Sequence, residues 1–194
     1  KGPDLSVDRW NGLSTLSFDG QTQYLRVADS SVFDFGQDAT IFVVAKGDTL
    51  SDWRPILSKR GEDGVGWQFR KDNTDFATFT VRGTTGNAGQ RGGTPINGEV
   101  HVWGMRKSDL KRTQWADGNE EYDIDDRDPV PATSSDLVIG ARDRNGITAF
   151  GGVEIGEILV FDSALSDGQV SQLQGHLAHK WGQTGAMANE HPYK

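Results

Sequence analysis

The chain predicts an all-β fold, a sandwich of two stacked antiparallel sheets with one short C-terminal helix, and three observations carry that expectation. Short runs of apolar and polar residues alternate with a period of two through most of the sequence. Turn dipeptides punctuate these runs: Asn-Gly at 11–12, 97–98 and 145–146, and Asp-Gly at 19–20, 63–64, 117–118 and 167–168. Both tolerate the positive φ that tight hairpins need. Helical periodicity occurs only once, near the C-terminus.

Taken in order, the runs place strands at 13–18, 24–27, 40–45, 54–58, 66–71, 76–81, 100–105, 112–116, 137–141 and 153–161. Ten strands of about five residues suit two sheets packed face to face. The stretch 83–98 is rich in Gly, Thr and Asn, offers little to bury, and reads as a long loop between two strands. The stretch 119–131 holds Glu120, Glu121, Asp123, Asp125, Asp126 and Asp128 and reads as a solvated acidic loop. The helix begins after Ser166, whose hydroxyl suits an N-cap, and runs through Val170, Leu173 and Leu177 to Trp181. Gly182 supplies its stop, and Gly175 inside it implies close packing of that turn against the sheets.

Composition narrows the functional classes. The chain has 194 residues, with six tryptophans and nine phenylalanines to build a core, so a single folded domain over 1–194 is expected. Twenty Lys and Arg stand against 28 Asp and Glu, a net charge of −8, and no long basic run occurs, which argues against nucleic-acid or anionic-lipid capture. No apolar run approaches the ~18 residues of a membrane span. Cysteine is absent, which removes disulfides, thiolate metal sites and Cys nucleophiles. The chain opens on Lys1 without a signal peptide, as expected of a piece of a longer precursor.

The acids offer the first candidates for catalysis. Glycosidic cleavage needs two carboxyl groups ~5–10 Å apart. Strand-phased candidates at Glu120 and Glu154 lack a second acid in phase, and Asp123 with Asp125 alternates correctly only inside the acidic run. Asp123-x-Asp125-x-x-Asp128 lacks the glycine and glutamate of the helix-loop-helix calcium motif. Asp72-Asn73-x-Asp75 and Asp143-x-Asn145-Gly146 are explained by turn chemistry. His176 and His179 lie three apart without a third ligand, and no serine elbow or phosphate loop is present.

Aromatic residues remain. Trp67, Trp103 and Trp115 fall on three predicted strands, close to Arg70, Arg106 and other polar groups, and Trp53 sits at a predicted rim. An exposed indole stacks on the apolar face of a pyranose while Arg and Gln bond its hydroxyls, so Trp53, Trp67, Arg70, Trp103, Arg106 and Trp115 form the candidate carbohydrate-binding set. The alternative is that the indoles fill the core.

Four segments resemble a known family: Leu16-Ser-Phe-Asp-Gly with Tyr24-Leu25, Ala39-Thr-Ile-Phe-Val-Val-Ala45, Leu137-Val-Ile-Gly-Ala-Arg142, and Phe150-x-Gly-x-x-x-Gly-Glu157-Ile-Leu-Val-Phe-Asp162. They are similar to laminin-G-like, concanavalin A-like jelly-roll modules, and the tail from His176 to Gly182 with His191-Pro-Tyr-Lys194 resembles the ending of such modules in bacterial surface proteins. The resemblance implies a jelly roll of two six- or seven-stranded sheets, a concave glycan-binding face and a structural calcium ion in many members. Glu-x-Asp-x-x-Glu, the signature of laminarinase-type members, does not occur, Glu154-Ile-Gly-Glu157 coming nearest. Where many relatives read Ile-Asp-Glu-Val, this chain reads Ile155-Gly156-Glu157-Ile158, so no cofactor is required by the resemblance and a structural calcium ion would fall to Glu157 or to backbone carbonyls near Gly20 and Asp162.

The expected function is a non-catalytic carbohydrate-binding module, a secreted or cell-surface monomer that docks a polysaccharide beside neighbouring domains of a parent protein, with no nucleic-acid or membrane partner. The charge balance favours neutral glycans, with Arg70, Arg82 and Arg106 as local acceptors of sulfate or carboxylate. A structural or adhesion module without a sugar site is the second expectation. A glycoside hydrolase or polysaccharide lyase of the same fold is the third.

Overall fold

The computed structural model describes residues 1–47, 53–83, 87–89, 92–96, 98–109, 111–126 and 129–194. Period-two alternation is realised as strands β1 (Asp4–Trp10), β2 (Leu13–Asp19), β3 (Leu25–Val27), β4 (Ala39–Gly47), β5 (Pro55–Arg60), β6 (Gly66–Lys71), β7 (Ala77–Arg82) and β8 (Asn87–Gly89). The chain continues through β9 (His101–Ser108), β10 (Lys111–Ala116), β11 (Asn119–Asp125), β12 (Leu137–Ile139), β13 (Arg142–Asp143), β14 (Ile147–Thr148) and β15 (Gly152–Phe161) to helix α1 (Asp167–Trp181).

All pairings are antiparallel. One sheet has seven strands in the order β1-β2-β15-β4-β9-β10-β11, the other six in the order β3-β12-β5-β6-β7-β8, and β13-β14 forms a separate hairpin. The main core lies between the sheets: Ile41, Val43, Trp103, Met105 and Val153 from the larger face Leu57, Trp67, Phe69, Phe79 and Val81 from the smaller. Each such side chain, fully buried, contributes about 1.5–3 kcal/mol. The result is a concanavalin A-like sandwich.

A second apolar layer covers the outer side of the larger sheet. Strand β4 is apolar on both faces, so Phe42 and Val44 point away from the main core and pack with Val102, Trp115 and Trp10 against Val170, Leu177 and Trp181 of α1. The helix starts as the sequence predicts, with a capping box in which the Ser166 hydroxyl accepts from the Gln169 N–H and the Gln169 side chain accepts from the Ser166 N–H. It stops at Gly182, whose φ of 71° is the left-handed C-cap.

The acidic stretch is not a solvated loop: its first part is edge strand β11, paired with β10 from Lys111↔Asp125 to Ala116↔Asn119. Glu121 accepts the backbone N–H groups of Gly93 and Thr94 (2.9 and 2.6 Å), Asp123 pairs with Lys111, and Asp126 is buried beside Arg112. Asp128 lies outside the described residues. The predicted loop at 83–98 contains β8, and Ile96 from it reaches the core. The N-terminal β1 has no counterpart in the predicted strands. Gly175 packs not against a sheet but against the C-terminal segment, where a Cβ on it would collide with the Tyr193 Cβ.

Candidate functional site

The six predicted binding residues fall in three separate places. Trp67 and Trp103 are 1% exposed and belong to the main core, where Trp67 stacks between Phe35 and Phe79 and Trp103 leans on Phe69. Neither presents a ring to solvent, because the inward phase of β6 and β9 points at the opposite sheet. Trp115 is buried in the layer beneath α1, with the Arg106 guanidinium carbon 5.4 Å from its ring centroid. Arg106 ties the helix start to the sheet through Asp167 (2.6 Å) and the Leu165 carbonyl (3.0 Å). These two residues line a cavity of about 440 Å³ between α1, the C-terminal segment and β9–β11. Trp53 and Arg70 are the pair brought together elsewhere: Trp53 is 43% exposed and the Arg70 guanidinium lies 4.6 Å from its ring centroid.

That pair belongs to the outer face of the six-stranded sheet. Residues out of phase with the core supply this face: Ser58 and Arg60 on β5, Gln68 and Arg70 on β6, Thr78, Thr80 and Arg82 on β7. Register aligns them in rows, Ser58↔Gln68↔Thr80, Arg70↔Thr78, and Arg60↔Gly66↔Arg82. Gln68 donates to the Ser58 hydroxyl (2.8 Å) and accepts from Arg60 (3.1 Å), while Arg60 Nε donates to the Gly64 carbonyl (2.5 Å). Other polar atoms here are buried without a hydrogen-bond partner: Arg70 Nε, Thr78 Oγ1 and Thr80 Oγ1, joined by Arg142 Nε of β13, which packs against β5. Such orphans are rare in folded proteins and carry unmet donor and acceptor capacity.

The electrostatics of the face are those of clustered cations. Burial, followed by the fields of Arg70, Arg82, Arg142 and Arg144, pulls Arg60 down to about 10. Burial and then Arg142 lower Arg70, partly offset by Asp72; burial, Arg144 and Arg54 lower Arg142. A second cavity, of about 700 Å³, opens at the end of this sheet between the 61–65 turn, residues 132–136, Arg26 and Asp143. Arg60, Thr78, Thr80 and Arg142 were missed by reasoning from tryptophan. Their signal was the period-two placement of Arg, Gln and Thr opposite Trp67, Phe69, Phe79 and Val81.

The acids nearest to a catalytic pattern serve the scaffold. Glu154 accepts from Arg9 (2.9 and 3.2 Å) and the Thr15 hydroxyl (2.5 Å). Glu157 accepts from Trp181 Nε1 (2.7 Å) and pairs with Lys180 (2.9 Å). The residues therefore do not fit a calcium ion at this strand: Gly156 brings no oxygen side chain and the Glu157 carboxylate is engaged by the helix. No group of three or more His, Asp or Glu placed to hold a metal occurs among the described residues. His179 contacts the Tyr193 carbonyl (3.1 Å) and His191 the Gln174 side chain (3.1 Å), both fastening the C-terminal segment to α1.

Antiparallel sheets of seven and six strands stacked face to face define the class of concanavalin A-like β-sandwich domains. The family model for laminin G-like domains of the concanavalin A-like lectin/glucanases superfamily matches residues 19–171, and the chain belongs to that family. No curated protein matches the chain by sequence. Solved structures share the fold at low identity. Domain 4 of AbnA, an extracellular arabinanase from Geobacillus stearothermophilus in complex with arabinotriose, superposes with a TM-score of 0.67 at 12% identity, covering 90% of this chain and 82% of that one. The carbohydrate-binding module of a Ruminococcus gnavus sialidase bound to α2,3-sialyllactose gives 0.60 at 14% identity, over 79% and 96% of the two chains. A botulinum neurotoxin type C structure, described as dependent on two ganglioside molecules for cell entry, gives 0.68 at 11% identity, over 91% and 45%.

Proposed function

We propose that this chain is a non-catalytic carbohydrate-binding domain that acts outside the cell and grips its glycan on the outer face of the six-stranded sheet, with Trp53 and Arg70 at the contact. The observation that carries the reading is the exposed Trp53 indole, 43% open to solvent, with the Arg70 guanidinium 4.6 Å from its ring centroid. An indole supplies the flat apolar surface a sugar ring needs, and the fixed donors around it read the hydroxyls. The sugar-bound relatives of the same fold add support, as does the use of Glu154 and Glu157 in structural bonds. No helix among the described residues is long and apolar enough to cross a membrane.

Affinity electrophoresis in gels containing different polysaccharides tests this. Retardation by at least one polymer is expected, with roughly a tenfold weakening in Trp53→Ala, about the loss of one stacking contact. Full retention of binding in that variant rejects this face as the site. The burial of Trp67, Trp103 and Trp115 favours a second reading, a spacer or adhesion domain without a sugar site. Failure of every polymer to retard the protein selects it.

A further inference from the structure

The cation cluster on this face is at odds with the neutral-glycan expectation drawn from net charge. The chain carries 28 acidic against 20 basic residues, so carboxylates are in excess and most cations in the structure have found one. Arg9 holds Glu154, Arg26 holds Asp136 and Asp143, and Lys59 holds Asp29 and Asp34. Arg106 holds Asp167, Lys111 holds Asp123, Arg112 faces Asp126, and Lys180 holds Glu157.

Arg60, Arg70, Arg82 and Arg142 form a cluster that has not; Lys107, also buried, is met instead by the Asp109 and Asp126 carbonyls. Among the described residues no carboxylate lies within ion-pair distance of any of them, although Arg60 and Arg70 are more than nine-tenths buried. Buried cations without a counter-charge are costly to a fold, and four that share one face repel one another. Arg60 and Arg82 converge. Gly66 removes the side chain between Arg60 and Arg82 in the row, and Arg82 Nη1 and Arg60 Nη2 lie 3.1 and 3.3 Å from one point beside Gly64. Arg70 Nε and Arg142 Nε are left without a partner in the same region.

We propose that the glycan recognised on this face carries an anionic substituent, a carboxylate or a sulfate, held by Arg70, Arg82 and Arg142 with Arg60 fixed behind them. The planar guanidinium matches the two oxygens of either group, and an anion there supplies a counter-charge that the described residues do not. Arg60 is the member with a structural role, since Gln68 and the Gly64 carbonyl fix it, so it is a poor choice for mutation. This inference rests on the glycan-binding reading and specifies the ligand for it.

The test is titration of the full chain with polygalacturonate beside its carboxyl-reduced form, and with dextran sulfate beside dextran, at low and moderate salt. Binding to at least one acidic polymer is expected, weakened tenfold or more by removal of its charge and weakened again by added salt. Preference for polygalacturonate identifies the carboxylate, and preference for dextran sulfate identifies the sulfate. Arg82→Gln and Arg142→Gln, each first shown by thermal melting to be folded, are expected to weaken acidic binding about tenfold or more. Equal binding of charged and neutral forms overturns the anionic proposal and leaves the glycan reading standing. Acidic binding at full affinity in both variants overturns the assignment to these arginines, and absence of binding to all four polymers, and to the neutral polysaccharides above, overturns both readings.

Discussion

Glu154 and Asp19 are carboxylates whose placement ties stability to pH. Burial pushes the Glu154 carboxyl up, but the hydrogen bonds from Arg9 and Thr15 outweigh it and hold the group below its ordinary range. Asp19 is held well below its ordinary value by the Thr22 hydroxyl, together with the backbone N–H groups of Thr22, Gln21 and Gln23. A carboxyl depressed in the folded state stabilises above its unfolded pKa, ~4 for both residue types, and that contribution is lost as pH falls through the folded value. Replacing Glu154 by Gln is accordingly expected to lower stability at pH 7 by roughly 1–3 kcal/mol. The gap between variant and wild type should narrow on acidification below pH ~4. Urea midpoints measured at neutral pH and near pH 3 check both statements; a gap that stays constant contradicts the assignment.

At the scale of elements, α1 and the strand beneath it explain why this chain departs from the family pattern. Gly156 stands where the sequence resemblance implies an aspartate, and a Cβ there would come within 2.8–2.9 Å of three ring carbons of Trp181. The indole lies on the bare backbone of β15, stacks edge-on against Trp10 (centroids 5.9 Å apart), and bonds Glu157 through its N–H. Restoring the family residue should therefore unseat the helix: Gly156→Asp is expected to cost about 1–3 kcal/mol and lower the melting temperature. A red-shifted tryptophan emission would accompany it. An unchanged melting curve would show that α1 is not seated by this contact. The docking was partly legible beforehand, since Ile41-Phe-Val-Val-Ala45 does not alternate and such a run is buried on both sides. That a helix, rather than a third sheet or a partner, covers Phe42 and Val44 required the fold.

Across the molecule the two sheets are joined by apolar packing and by one buried amide. Gln114 of β10 accepts the Phe79 N–H of the opposite sheet (3.0 Å), donates to the Ala77 carbonyl (3.1 Å) and accepts the Tyr122 hydroxyl (3.0 Å). Gln114→Ala strands the Phe79 N–H and the Tyr122 hydroxyl away from water and is expected to destabilise by about 1–3 kcal/mol, read from chemical denaturation. Loss of hydrogen-exchange protection should concentrate at Phe79, in the strand next to the candidate binding row. A loss spread evenly over both sheets would mean that the amide does not act locally.

The sequence by itself determined the sandwich, most strand positions, the capped helix and its stop, because period-two alternation, Asn-Gly and Asp-Gly turns and the Ser166–Gln169 box are local signals. It missed β1, whose exposed Leu5 and Val7 give an edge strand no burial pattern, and β11, whose acids looked solvated until Lys111, Thr94 and Gln114 were brought beside them. Which tryptophans face water was decided by tertiary structure alone. Alternation tells that Trp67 and Gln68 lie on opposite faces of β6, but only the stacking of the second sheet tells which face is the core. It buried Trp67, Trp103 and Trp115, left Trp53 exposed, and set Arg60, Arg70 and Arg82 on the face of the smaller sheet turned away from the core.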